Sequence, residues 1–310
     1  MRSYLYGNAV GLSFIAFASY FDVYSHRQIF VGTDPWWNPA HLMLYAGSAV
    51  IAYGVFRGRT RGAAGTLSIV GLVIVLSAAG FNEFWHRVFL FGNPLPEPFP
   101  VEPPHALLAV GFIVLGLGAL LHPLDRPSVV SGVLERAAVA FTGGSLWLIV
   151  GGSALYVAGA YRTPEAFLFG VGASSFAASL FLVYPQAVTG RFGYSTLSYS
   201  WFMLVYYAFF LSPADGLPYG VGLVALIDFV LSKGRVAGID SRYAVLPLVA
   251  ALYGVVYYPI LPAEATLAVN AGLLASGVGV SVEFLAEKAF VRSRRKAASP
   301  IAPKLGTGPE

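Results

Sequence analysis

Six side chains among the first 105 residues of this 310-residue chain have the types and spacing to hold a metal ion: Asp22, His26, His41, Asn82, His86 and His105. Asp22 and His26 are four residues apart, so a helix would set them on one face. Phe21-Asp22-x-x-x-His26-Arg27 returns sixty residues later as Phe81-Asn82-x-x-x-His86-Arg87, and Pro39-Ala40-His41 returns as Pro103-Pro104-His105. Four of the chain's five histidines sit in these two copies. Imidazole suits copper, zinc, iron and nickel, and a carboxylate or an amide oxygen can complete such a ligand set. With no cysteine in the chain, the site would use nitrogen and oxygen alone. Disulfides, zinc–thiolate sites and iron–sulfur clusters are excluded for the same reason. Each ligating imidazole needs an acceptor for its second nitrogen, and Glu83 and Asp34 are the nearest candidates in sequence. The plainer alternative is that each histidine is hydrogen-bonded at headgroup level, with Trp36, Trp37 and Trp85 forming an aromatic belt. The repeated context of four histidines, and the lack of any His beyond residue 122, favour a shared site.

The elements that must position these groups are membrane helices. The chain is 57% hydrophobic and 11% charged, with a mean hydropathy of +0.69, whereas soluble domains are about 25% charged. A membrane-spanning helix needs about 20 apolar residues. Ten runs qualify: 7–25, 39–56, 64–85, 104–121, 137–158, 165–184, 198–212, 218–232, 243–260 and 264–284. The fold class expected is all-α, a polytopic transmembrane bundle of about ten helices with both termini cytoplasmic. Orientation follows from charge: alternating the loops puts sixteen of the 19 Lys and Arg inside and leaves Arg27, Arg87 and Arg162 outside. The candidate ligands then fall at the outer face of a cell membrane. Arg2 precedes an apolar run, but Asp22 and His26 stand where a signal-peptidase site would be, so no cleaved leader is expected. The net charge of +4 lies in short loops and a tail, which argues for the lipid bilayer as partner and against nucleic acid. Three regions are expected: metal-binding helices over 1–122, further helices over 123–288, and a basic, disordered tail over 289–310. The outer turns share a pattern in which the return helix starts after Pro, at Pro39, Pro104, Pro164, Pro218 and Pro262. That could mark a helical-hairpin repeat, or simply the preference for Pro at the first helical position.

Residues 10–120 resemble a known family. Asp22-x-x-x-His26, then His41 after Thr33-Asp34 and Pro39-Ala40, then Asn82-Glu83-Phe84-Trp85-His86, is similar to the C subunit of the copper membrane monooxygenases, which include particulate methane and ammonia monooxygenase. The resemblance implies one copper position at Asp22, His26 and His41, and a neighbouring one at Asn82, His86 and His41. It implies an oxidoreductase, or a subunit of one, acting with other monooxygenase subunits or as a homo-oligomer on a small substrate such as ammonia or a hydrocarbon. His105 lies outside the family pattern and is expected as a further ligand or an outer hydrogen-bonding group. Zinc and iron remain the alternatives to copper, and the catalytic residues stay unassigned.

Beyond these groups the chain offers less. His122 precedes Pro123 and is expected in an inner loop, while Asp228 and Glu283 are expected to pair with a hydroxyl or an inner-side Arg. Residues 130–310 contain no His and are expected to scaffold the site rather than ligate metal. Phosphate-binding Gly loops, G-x-S-x-G and H-E-x-x-H are all absent. Five histidines are too few for an eight-histidine di-iron hydroxylase. Besides the copper enzyme, two functions fit the pattern: a metal-binding or metal-delivery membrane protein without catalysis, and a transporter.

Overall fold

A computed structural model describes residues 2–29, 37–58, 62–85, 88–89, 103–125, 130–152, 164–178, 181, 189, 191–210, 217–237, 239–245, 247–249, 251–252 and 277–278, of which 91% are helical. The helices are α1 (Arg2–Gln28), α2 (Pro39–Gly58), α3 (Ala63–Trp85), α4 (Pro103–Asp125), α5 (Val133–Trp147, continued by a π-helical turn, Leu148–Gly152), α6 (Pro164–Ala178), α7 (Tyr194–Phe210), α8 (Leu217–Ser232) and a single turn, α9 (Ser241–Ala244). One two-residue antiparallel pair, Arg235–Val236 with Ile239–Asp240, joins α8 to α9. Among the described residues, four helices are long and apolar enough to cross a membrane: Pro39–Gly58, Ala63–Trp85, Pro103–Pro123 and Val133–Gly152. The chain is therefore a membrane protein built of helices. The ninth and tenth apolar runs lie largely outside the described residues, as does the basic tail.

Proline marks the helix starts, as the outer-turn pattern predicts. Pro39, Pro103 and Pro164 each open a helix, and Pro218 is the second residue of α8. A proline there gives up only an amide that the first turn cannot pair, and its ring already holds a helical φ.

Two antiparallel hairpins, α1–α2 and α3–α4, are closed by missing side chains. In the first, a Cβ on Gly7 would lie 2.8 Å from Gly54 Cα, and one on Gly47 would lie 2.7 Å from Gly11 O, so the two backbones touch. In the second, a Cβ on Gly111 would meet Val75 Cγ2 at 2.9 Å. Small residues allow this approach, and dispersion contacts then replace the hydrophobic drive that lipid does not provide. The hairpins meet at the end that carries Arg2. There the Tyr4 hydroxyl bonds to Ser68 on α3, and the Tyr4 ring stands edge-on to His122 of α4, with centroids 4.4 Å apart.

α1 is more polar than its neighbours because protein surrounds it. It packs along α2 and also against α5 and α7. Asn8 and Ser25 are buried, Ser13 meets Ser145 of α5 at 3.2 Å, and Tyr20 donates to the Leu148 carbonyl at 3.4 Å. At its start, Arg2 pairs with the buried Glu135 of α5 at 3.1 Å, and Tyr6 donates to the same carboxylate. Outward-facing positions on α2 and α3 instead carry Tyr53, Phe56, Val73 and Leu76, all more than half exposed, as suits contact with acyl chains.

Two expectations about polar residues come out differently. His122 does not lie in a loop: α4 runs past Pro123 to Asp125, and His122 is 2% exposed. Proline near the last turn is tolerated because the helix ends soon after it. Asp228 is fully buried and does pair with a hydroxyl. Its Oδ2 accepts from both the amide and the hydroxyl of Thr196, each at 2.8 Å. The carboxylate thereby caps the first turn of α7, where unpaired amides and the helix dipole favour negative charge.

Candidate metal centre

The C-terminal part of α1 and the first turn of α2 bring two of the six candidate ligands together. His41 Nε2 lies 3.4 Å from Asp22 Oδ1, and both side chains are 15% exposed. Each arrives there for a local reason. Asp22 is one turn and a half from the end of α1, facing α2. His41 is the third residue of α2, whose start is fixed by Pro39 and by the residue before it.

That residue is Asn38, fully buried, and it ties the two helices. Its Oδ1 accepts the Ala40 amide at 3.0 Å, which caps α2. The cap fixes which way the amide points, so Nδ2 is turned toward α1. Nδ2 donates to Asp22 Oδ1 at 3.3 Å and to Ser25 Oγ at 3.1 Å. Ser25 can accept because its own hydroxyl proton goes to the Asp22 carbonyl, 2.9 Å away. Asp22 Oδ1 thus faces two groups at once, the Asn38 amide and the His41 ring.

The pair suits a metal. Nε2 and Oδ1, 3.4 Å apart, are the nitrogen and oxygen donor types such an ion takes, and the same separation is that of a His–Asp ion pair. Copper and zinc both accept an imidazole and a carboxylate, and the distance does not choose between them.

The second hairpin carries the matching positions. Asn82 lies near the end of α3 and His105 in the first turn of α4. The Asn82 Oδ1 is buried and meets no hydrogen-bond donor among the described residues. A buried amide oxygen needs a donor, a water or a cation, and this one is of a type that can ligate metal. His105 is half-buried.

The proposed five-ligand cluster is only partly within view. The His26 side chain and all of His86 lie outside the described residues, and with them goes the sharing of His41 between two positions. Among the described residues, no three His, Asp or Glu side chains form a metal-holding group. Asp34, one of the two outer acceptors anticipated, also lies outside the described residues, while Glu83 is half-buried on α3. Asn38 was not among the residues singled out from sequence. Its signal was present, an Asn directly before Pro39 at a helix start, but its second contact depends on how closely α1 approaches α2. Compared with protein-family models, with curated proteins and with solved structures, the chain matches none.

Proposed function

We propose that this is an integral membrane copper-binding protein, a subunit or relative of a copper-dependent membrane monooxygenase that oxidises a small substrate such as ammonia or a hydrocarbon. The observation that carries the reading is the convergence of Asp22 and His41 at 3.4 Å, from two helices, at one end of the bundle. The family resemblance adds His26 to this pair, and Asn82 and His86 to a neighbouring position. Copper, when bound, would supply the redox chemistry. The protein would supply a nitrogen–oxygen ligand set, mostly shielded from water and held by helix ends. The bundle would have about ten spans with both termini cytoplasmic, as the bias in Lys and Arg favours, and the site would face outward.

The 15% exposure of both side chains favours a second reading, an exchangeable site that binds or delivers metal without catalysis. Of the features that permit the transporter reading, Asp228, Glu283 and the possible hairpin repeat, Asp228 is committed to the start of α7 and Glu283 lies outside the described residues. The test is element-resolved metal analysis of the purified protein, beside His41→Ala. Copper bound near stoichiometrically and lost from His41→Ala supports the reading. Equal copper in both proteins refutes it. Oxygen consumption by the copper-loaded protein, with candidate partner subunits added, separates the enzyme from the carrier.

A further inference from the structure

We propose that Asn38 is the positioning residue of the metal centre: its amide presets the Asp22 carboxylate for the ion that Asp22 and His41 would hold. The inference rests on the reading of Asp22 and His41 as ligands, and goes beyond it by assigning a role to a residue that would not touch the metal.

The argument is one of geometry. A carboxylate without a hydrogen-bond partner can change rotamer, and a metal ligand with several rotamers binds weakly because ordering it opposes binding. Asn38 removes that freedom. It is fully buried, so its amide has few orientations to choose from, and its Oδ1 is already taken by the Ala40 amide at 3.0 Å. The Nδ2 hydrogens must therefore point across to α1, where Ser25 Oγ takes one at 3.1 Å and Asp22 Oδ1 the other at 3.3 Å. Ser25 is fully buried and anchored to the Asp22 carbonyl, so the far side of the amide is fixed too. The oxygen that Asn38 holds is the one facing His41 Nε2. One amide thus sets the first turn of α2, which carries His41, and the rotamer of Asp22. The two donor atoms reach their 3.4 Å separation through the same group.

A capping role alone would leave the metal indifferent to which capping residue is present, and this makes the proposal testable. Serine caps a helix about as well as asparagine but is too short to reach Asp22. The experiment uses the full chain purified in detergent, with Cu(II) as the probe. Affinity is measured by competition with a chelator, ligand geometry by electron paramagnetic resonance, and stability by thermal unfolding. Asn38→Ser should weaken Cu(II) binding about tenfold, as outer hydrogen-bonding groups do, and shift the resonance parameters, with an unfolding midpoint above that of Asn38→Ala because the cap is kept. Asn38→Ala should weaken binding similarly and also lower the midpoint by about 3 °C, from loss of the cap. His41→Ala serves as the reference and should lose far more affinity than either. If Asn38→Ser binds Cu(II) within twofold of the parent with an unchanged spectrum while His41→Ala does not, Asn38 is only a cap and the proposal fails. A midpoint in Asn38→Ser as low as in Asn38→Ala would also sink it, since the affinity loss would then follow from instability. If His41→Ala itself binds Cu(II) like the parent, the reading of the site fails, and the positioning role fails with it.

Discussion

The α1–α2 and α3–α4 hairpins share a sequence pattern but differ in the charge they place at the turn. In the first, Asp22 near the end of the outgoing helix carries the charge, and Asn38 before the returning helix carries the amide that binds it. In the second, the outgoing helix carries the amide, Asn82, and the residue aligned with Asn38 is Glu102, which lies outside the described residues. Carboxylate and amide have changed places. Asp22 meets two partners, while the Asn82 oxygen is buried with no donor among the described residues. A common hairpin can thus present an anionic oxygen in one copy and a neutral one in the other. Of the two, the anionic oxygen beside an imidazole is the better starting point for a divalent ion.

The largest expected effect would break what the hairpins have in common. Gly47→Ala would drive a Cβ to 2.7 Å from Gly11 O, and Gly111→Ala would drive one to 2.9 Å from Val75 Cγ2. Each should cost about 1–3 kcal/mol of overpacking, seen as a lower unfolding midpoint in detergent. Gly80, which has nothing near its missing Cβ, should accept Ala with a gain of up to about 1 kcal/mol. If Gly80→Ala and Gly47→Ala behave alike, the hairpins are not closed by glycine contacts.

Next come the histidines. His41→Ala should lower Cu(II) affinity by more than about 100-fold, beyond the 10–100-fold typical of outer groups, whereas His105→Ala should lower it about tenfold or less. Equal losses would mean that the two hairpins contribute alike. Exchanging the charges is subtler. Asp22→Asn keeps an oxygen donor but removes its charge, so it should weaken copper binding, by less than His41→Ala does, and make the first hairpin resemble the second at this position. Asn82→Asp should tighten divalent-ion binding at the second if its buried oxygen faces a cation, and should destabilise the fold if it does not. Thermal unfolding with and without Cu(II) distinguishes the two. The smallest effect concerns the link between hairpins. Tyr4→Phe removes the hydroxyl that bonds Ser68 and should cost about 1 kcal/mol with metal affinity unchanged.

Much of the helical layout was legible in the chain. Apolar runs and prolines locate α2, α3, α4, α6 and α8 to within a few residues, because lipid-facing length and the first-turn role of Pro are local properties. α1 was legible only in its middle. The 7–25 run omits Arg2, Tyr4 and Tyr6, whose polar atoms are answered by Glu135, Ser68 and Asn8, and hydropathy cannot anticipate a partner on another helix. His122 was misplaced because Pro123 reads as a stop. Within the site, residue types pointed to Asp22 and His41, and the expectation that Asp228 would find a hydroxyl holds at Thr196. Asn38 was hidden because one side of its amide serves its own helix, where sequence can show it, and the other serves α1, where only the packing of Gly7 against Gly54 and Gly11 against Gly47 decides the reach.

The contact between Asp228 and the first turn of α7 bears on how the protein is made. A chain synthesised from its N-terminus delivers α7 before the residue that completes it. Until α8 emerges, the Thr196 amide and hydroxyl have no carboxylate to meet, and they stay in water or headgroups rather than sink into acyl chains. The two helices therefore settle as a unit, the later one carrying the acceptor for the earlier.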